Sequence, residues 1–461
     1  MLAVGVGEAA ADGRMEEPHM IKKRMALSGL PWIFATLVVA VPALATNGMY
    51  LAGYGSEVAG RAGTNLAVAD RALGLQANPA GIAQLQGQHF SVDLQTLSPT
   101  LHYGGDPFGN AIDGKHNLFE MPSLSYVSGA HGSPWTWGLG LISQGGMGAT
   151  FEGYTTPFGT KDGTYSEVRF LTFTPTVAYA VNEDLAIGVS GNAGYSDVKF
   201  RFFPNTSYYN NNGTPQNPAD DVGFFGANLA DRAKAFNTSA RLGLMWAATP
   251  QVQVGAIYQT KTQGKYKHGT LALNQSAIGL GEVKYDAVVD GFTWPEQYGA
   301  GVQLRLLPRA MLAFDVRRYN WSDAISKIEV RGSNPDKASP VTAPVMPFVF
   351  DWKDVWAFGV GGEYRLREAL TLRGGWNFGE NPVPANTLNP LFPAITTQHA
   401  TLGCGYTWAG NTVNLALERA FEVTQKNTNP DPNVNPFGPG ATVSHSQWTF
   451  SVGFSRAFAR R

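Results

Sequence analysis

From His89 to Phe458 the chain alternates large apolar side chains with small or polar ones, segment after segment. The last segment is the clearest. In Trp448-Thr449-Phe450-Ser451-Val452-Gly453-Phe454 every second residue is large and apolar, and Phe458 keeps that parity. A period of two marks a β-strand whose two faces meet different surroundings. Val413, Leu415 and Leu417 alternate with Asn414, Ala416 and Glu418, and Leu402, Cys404, Tyr406 and Trp408 with Gly403, Gly405 and Thr407. Leu312, Phe314 and Val316 alternate with Ala313, Asp315 and Arg317. Lipid on one face and a polar lumen on the other give this pattern in a transmembrane β-barrel. An Arg or Lys facing lipid at mid-bilayer costs about 2–4 kcal/mol. That magnitude assigns Asp315 and Arg317 to the inside, and it sends Arg318, of opposite parity, to the outer interface.

The connections alternate in length. Short ones sit at His131-Gly132-Ser133, Asn182-Glu183-Asp184, Thr249-Pro250, Leu307-Pro308-Arg309, Leu366-Arg367-Glu368 and Ala409-Gly410-Asn411. Long ones fall between them, such as Pro204–Ala235, Gly332–Trp352 and Gly379–Gln398. Short turns inside and long loops outside are the habit of outer-membrane barrels, whose strand number is even. Six short turns and seven long loops predict an all-β fold, a 14-stranded antiparallel transmembrane barrel. The predicted strands are 89–102, 117–128, 134–147, 164–181, 184–203, 236–248, 251–270, 295–307, 310–329, 353–365, 369–379, 398–408, 411–424 and 445–458.

Residues 46–88 do not alternate, and Ala59 to Leu75 is rich in Ala and Gly, which predicts short helices. The segment is too small for a core of its own. The lumen is its one sheltered place, so 46–88 is expected to be a plug and 89–461 the barrel. Ahead of it, Lys22-Lys23-Arg24, the apolar run Ala26 to Val41 and Ala43-Leu44-Ala45 follow the order of a secretory signal peptide. Residues 1–45 are therefore read as a signal peptide with an N-terminal extension, and Met20 as the start, because Glu8, Asp12, Glu16 and Glu17 are atypical of a signal. After Ala45 no apolar run approaches the ~20 residues a membrane helix needs. Barrel strands escape that test, because their faces average out.

Composition fits the same class. The chain has 54 Gly, 12% aromatics, and 34 Lys plus Arg against 35 Asp plus Glu. A net charge of −1 offers no basic excess for nucleic acid. The single cysteine, Cys404, forms no internal disulfide and no paired-Cys zinc site. No Gly-x-Ser-x-Gly elbow, P-loop or His-Glu-x-x-His motif occurs, so no catalytic residue, cofactor or metal ligand is predicted.

The N-terminal stretch Thr46-Asn47-Gly48-Met49-Tyr50, Gly53-Tyr54-Gly55-Ser56 and Asn78-Pro79-Ala80-Gly81 resembles the mature start of the FadL/TodX (OMPP1) family. Downstream, Trp352-Lys353-Asp354, Leu372-Arg373-Gly374-Gly375-Trp376 with Asn381-Pro382-Val383-Pro384, Trp294-Pro295-Glu296 and Tyr319-Asn320-Trp321-Ser322 are similar to family motifs in the family's order. The family loop after Pro-Val-Pro often carries an acidic–Arg pair, and here Pro393-Ala394-Ile395-Thr396-Thr397 has none. The resemblance implies an outer-membrane transporter of long-chain fatty acids or hydrocarbons in a Gram-negative cell, monomeric and surrounded by outer-membrane lipid. Transport would be passive and ligand-gated, with lateral exit through a kink in the third strand.

By that resemblance Asn78, Pro79, Ala80 and Gly81 anchor the plug near the exit, and the kink falls at Gly145 and Gly146 in Ser143-Gln144-Gly145-Gly146-Met147-Gly148. Gly pairs in strands mark bulges and bends. The alternative for each is structural: a rigid turn, and a strand fading into a loop. Phe224 and Phe225 are candidates for capture of solute, on an expected amphipathic helix from Phe224 to Lys234. Arg169, Arg317, Arg373 and Lys327 are candidate partners for a carboxylate, although lumen charges in barrels are usually paired wall residues. An aromatic-hydrocarbon channel is the nearest alternative. A general porin and an outer-membrane lipase are the rivals from other classes.

Overall fold

The computed structural model describes residues 47–68, 71–214, 216 and 221–458. The expected signal peptide, including Met20, lies outside the described residues. The strands are β1 (Gly87–Gly104), β2 (Ala111–Asp113), β3 (Phe119–Gly129), β4 (Trp135–Thr155), β5 (Lys161–Ala180), β6 (Leu185–Asn210), β7 (Val222–Asp231), β8 (Ala233–Thr249), β9 (Val252–Gln259) and β10 (Tyr266–Asn274). They continue as β11 (Glu282–Asp290), β12 (Gln297–Leu307), β13 (Ala310–Tyr319), β14 (Lys327–Ser333), β15 (Val345–Val349), β16 (Val355–Arg367), β17 (Leu370–Gly379), β18 (Gln398–Trp408), β19 (Asn411–Lys426) and β20 (Thr442–Phe458).

The ladder runs from β1 through β3, β4, β5, β6, β8, β9, β12, β13, β16, β17, β18 and β19 to β20. β20 pairs back on β1 along its whole length, from Gln88↔Phe458 to Gly104↔Thr442, and closes the antiparallel barrel. Fourteen strands make up this ring, and among the described residues the sheet as a whole holds 20, so the expected fourteen falls short of the full sheet. The additional strands come from the long connections. β6 extends to pair with β7, and β7, β10, β11, β14 and β15 pair in succession. Buried backbone in long loops has to find hydrogen-bond partners, and pairing supplies them. Two predicted strands end early for this reason: 251–270 breaks after Gln259, and 310–329 after Tyr319.

Parity decides which side chains face out. On β4, Trp135, Trp137, Leu139 and Leu141 are exposed, whereas Thr136, Gly138 and Gly140 are buried. β20 exposes Trp448, Phe450 and Val452 and buries Thr449, Ser451 and Gly453. Such an apolar exterior over a polar interior suits lipid as the outer solvent. Among the described residues no helix is long and apolar enough to cross a membrane, which says nothing of strands. Cys404 is half-buried on the outward face of β18, between Leu402 and Tyr406. The turn of the β18–β19 hairpin has positive φ at Ala409 (43°) and Gly410 (79°), as a two-residue hairpin turn requires.

The described residues of 47–85 hold one four-residue helix, α1 (Ser56–Ala59), and short 3-10 turns at Ala72–Gln76 and Pro79–Gln84. The expected helical character is thus slight. The segment packs against the inner faces of strands all round the ring. Wall glycines make room for it: a Cβ at Gly188 or Gly243 would meet Pro79, at Gly255 the Leu66 carbonyl, at Gly361 the Arg61 carbonyl, and at Gly403 the Gly60 backbone. At the loop end, aromatic residues including Phe200, Phe202, Tyr266, Tyr285, Phe292 and Phe350 belong to one apolar cluster.

Candidate functional site: a break in the barrel wall

β3 and β4 pair from Gly129↔Thr136 up to Ser123↔Ile142, and no further. Above that point β3 keeps its other neighbour, β1, as far as Leu97↔Phe119. β4 keeps β5 as far as Thr155↔Lys161, with a register shift between Ser143 and Gly145 that leaves Gln144 as the extra residue. Bulges bend the strand that carries them. The freed edge of β4 turns to the N-terminal segment: Tyr50 bridges Gly145, and Gly146 N donates to Met49 O at 3.3 Å. The Tyr54 hydroxyl donates to the Gln144 carbonyl. Gly145 and Gly146 are obligatory here, since a Cβ would run into the Met49 carbonyl at the first and the Val168 carbonyl at the second.

A cavity of about 470 Å³ passes through this break. Inward-facing Leu97, Met121 and Phe170 line it, and so do Leu118, just ahead of β3, and Glu120, Arg169 and Leu171 from the outward faces of β3 and β5. A second pocket, about 30 Å³, is bounded by Met49, Val168, Phe200, Phe292, Ile328, Phe348 and other apolar side chains alone. Met49 and Val168 border both spaces and form the partition between them. Tyr50, next to Met49, sits in an aromatic nest, with ring centroids 5.2 Å from Trp294, 5.5 Å from Tyr319 and 5.7 Å from Trp321.

The sequence candidates divide into separate groups. Arg169 lines the larger cavity, but its guanidinium is 2.6 Å from Asp197, which Arg232 also meets at 3.0 Å. Arg317 lies 3.1 Å from Asp315 and donates to Asn65 Oδ1 at 2.5 Å. Arg373 donates to Glu363 (2.8 Å) and Asn414 (2.9 Å) and lies 3.4 Å from Glu57. Both therefore hold the N-terminal segment or its wall. Lys327, outside the cavity, pairs with Glu329 at 2.8 Å. Phe224 and Phe225 line neither pocket. The expected helix is strand β7, and Phe224 stacks on Phe158 at 5.0 Å, because pairing with β6 and β10 overrides a locally ambiguous pattern.

Asn78 caps the turn Pro79–Gln84 through Ala80 N (3.1 Å), and its amide donates to Leu66 O (2.8 Å) and Leu244 O (2.9 Å). The Asn78–Gly81 motif thus seats on β6 and β8, and the contacts at the β3–β4 break belong to Met49, Tyr50 and Tyr54. Met49 and the Trp294–Trp321 nest were not singled out as site residues. Their only signal was membership in the short motifs that carry the resemblance.

Beneath the nest, Glu57 is buried with Arg61 at 3.5 Å, Arg71 at 3.4 Å and Arg373 at 3.4 Å. Burial raises its pKa, yet the three guanidiniums outweigh burial and hold the carboxyl well below the usual carboxylate range.

A closed antiparallel barrel with an apolar exterior and a cavity that breaches its wall defines an outer-membrane transport protein. The model of the outer membrane protein transport protein family (OMPP1/FadL/TodX) matches residues 36–458, and the chain belongs to that family. Among solved structures, the Ralstonia pickettii toluene transporter TbuX is 21% identical with a TM-score of 0.69, covering 89% of this chain and 99% of its own. The Pseudomonas putida toluene transporter TodX is 20% identical at TM-score 0.71, covering 90% and 100%. A Pseudomonas aeruginosa FadL homologue is 16% identical at 0.71, covering 89% and 100%. At these identities the likeness is one of fold. A search of curated protein sequences finds no significant match.

Proposed function

We propose that this protein admits hydrophobic compounds, long-chain fatty acids or hydrocarbons, by passive diffusion and releases them sideways into the membrane. The observation that carries the reading is the cavity of about 470 Å³ lined by both faces of the wall at the β3–β4 break. Solute would pass from the apolar pocket beside Phe292 and Phe348, past Met49 and Val168, and out between Leu118 and Leu171. Residues 46–88 act as the plug, residues 89–461 as the barrel and residues 1–45 as a cleaved signal. Ligand binding would move Met49 and Tyr50 off Gly145, and the protein would work as a monomer. The structural likeness to two toluene transporters and a FadL homologue supports the class of cargo.

Within that class one observation favours uncharged cargo. The cavity lining carries Glu120, Glu167, Asp197 and Glu418 against Arg169, whose charge Asp197 already meets. A carboxylate head group would find no spare guanidinium in the lining, where Glu167, Asp197 and Glu418 already have partners in Arg232, Arg169 and His399. The test is uptake of labelled toluene and labelled oleate by a Gram-negative host lacking its own fatty-acid transporter, with and without this chain. Toluene entry supports the reading, oleate entry alone assigns the cargo to fatty acids, and entry of neither overturns it.

A further inference from the structure

The outward face above the apolar belt is not uniform round the barrel. Elsewhere several of its polar groups have partners. Arg318 pairs with Asp354 (3.1 Å) over the Trp356 ring, Tyr258 donates to Glu296 (2.6 Å), and Arg419 lies over Trp448. The sector formed by β5, β6, β8 and β10 is different. One cross-strand row runs Arg169, Asp197, Lys234, Lys267, and the row above it places Lys199 opposite Glu167, with Arg201 opposite Tyr165 higher still. With Arg232 there are six bases here against three acids, Glu167, Asp197 and Asp231, in a chain whose net charge is −1. Asp197 and Glu167 are already engaged by Arg169 and Arg232, and Asp231 accepts from Thr270 at 2.8 Å. Among the described residues Lys199, Lys234 and Lys267 form no ion pair. Lys234 and Lys267 stand directly opposite each other, an arrangement that is destabilising unless an anion lies between.

Directly below this row the surface turns aromatic. Tyr195 meets Phe236 edge-on at 5.8 Å, Phe236 is 82% exposed, and Phe173 continues the belt. Cations above a bare aromatic platform, on the lipid side of an outer-membrane barrel, match a molecule with a phosphate head and an apolar body. We infer that this face is a docking site for a phosphate-bearing lipid of the outer leaflet. The phosphate sits among Lys199, Lys234 and Lys267, and the acyl and sugar portion lies against Tyr195 and Phe236. The site flanks the wall break, whose lip carries Arg169 and Tyr195, so a bound lipid would border the lateral opening and meet its lining at Tyr195.

The experiment uses the full barrel in detergent and native mass spectrometry, with three probes: diphosphorylated lipid A, the same lipid after dephosphorylation, and inorganic phosphate. The wild type should retain the phosphorylated lipid at least tenfold more tightly than the dephosphorylated one, and inorganic phosphate should not displace it. The triple variant K199Q/K234Q/K267Q should lose that preference, while R419Q, in a matched sector, should keep it. Heat-modifiable migration on gels reports folding, and the lipid comparison on the wild type needs no variant. Equal retention of both lipids, displacement by inorganic phosphate, or an undiminished preference in a folded triple variant would each overturn the inference.

Discussion

Replacing Asp315 with alanine should loosen the N-terminal segment while leaving the barrel intact. Asp315 Oδ2 accepts the backbone N–H groups of Asn65 at 2.8 Å and Leu66 at 3.0 Å, and Arg317 lies 3.1 Å away. The carboxyl side chain is 1% exposed, so water cannot take its place. A hydrogen bond to a charged group contributes about 1.5–3 kcal/mol. Removing one partner of a buried pair costs about 3–5 kcal/mol, because the other charge is left uncompensated. A loss near 4 kcal/mol raises the undocked population about 10³-fold. Asn at the same position keeps an acceptor and should cost less than half as much. Hydrogen exchange resolved by peptide is the assay. In D315A the amides of 47–85 should lose protection by about that factor, with D315N intermediate and β1 and β20 unchanged. Wild-type protection of 47–85 in D315A would mean that Asp315 does not hold the segment, and equal loss in the strands would mean that it holds the whole barrel.

Three further expectations follow from the same contacts. Met49→Trp should fill the partition between the two pockets and lower solute uptake at least tenfold, whereas Met49→Ala should not lower it, both read as initial rates in whole cells. Gly255→Ala should drive a Cβ into the Leu66 carbonyl and reduce exchange protection of 47–85, while Gly191→Ala, with nothing within 4 Å of its Cβ, should leave it unchanged. The third concerns pH. The folded pKa of Glu57 is depressed to about 2, first against burial and then by Arg71, Arg373 and Arg61. Its contribution is therefore complete above the ordinary carboxylate range and is lost as pH falls through the folded value. Exchange protection of α1 corrected for intrinsic rates should hold from pH 7 to pH 5 and fall only towards pH 2–3, and Glu57→Gln should remove that acid limb.

Much of the wall was legible because its physics is local. Parity along Trp448–Phe454 or Leu402–Trp408 reports the contrast between lipid and lumen residue by residue, and the turn at Ala409-Gly410 announces itself by composition. The long loops were not legible. The alternation running through 251–270 hides a break at Thr260–Lys265, and Phe224–Lys234 reads equally as helix until β6 and β10 supply partners. Charge partners escaped for the same reason. Parity puts Arg317 and Arg373 inside, but only the fold brings Asn65 to the one and Glu57 to the other. The break itself was half-visible: Gly145-Gly146 signalled a bend, while the loss of pairing above Ser123↔Ile142 is a property of two strands.

The lateral exit is tested most directly at Gln144. Deleting this residue removes the extra position between Ser143↔Leu171 and Gly145↔Phe170, so β4 can run straight beside β3. The decisive measurement is initial uptake of labelled toluene by cells carrying the deletion, with surface level and heat-modifiability matched to wild type. Uptake should fall to the level of cells without the protein, because the wall has closed. Undiminished uptake through a folded deletion variant would rule out exit through the β3–β4 break.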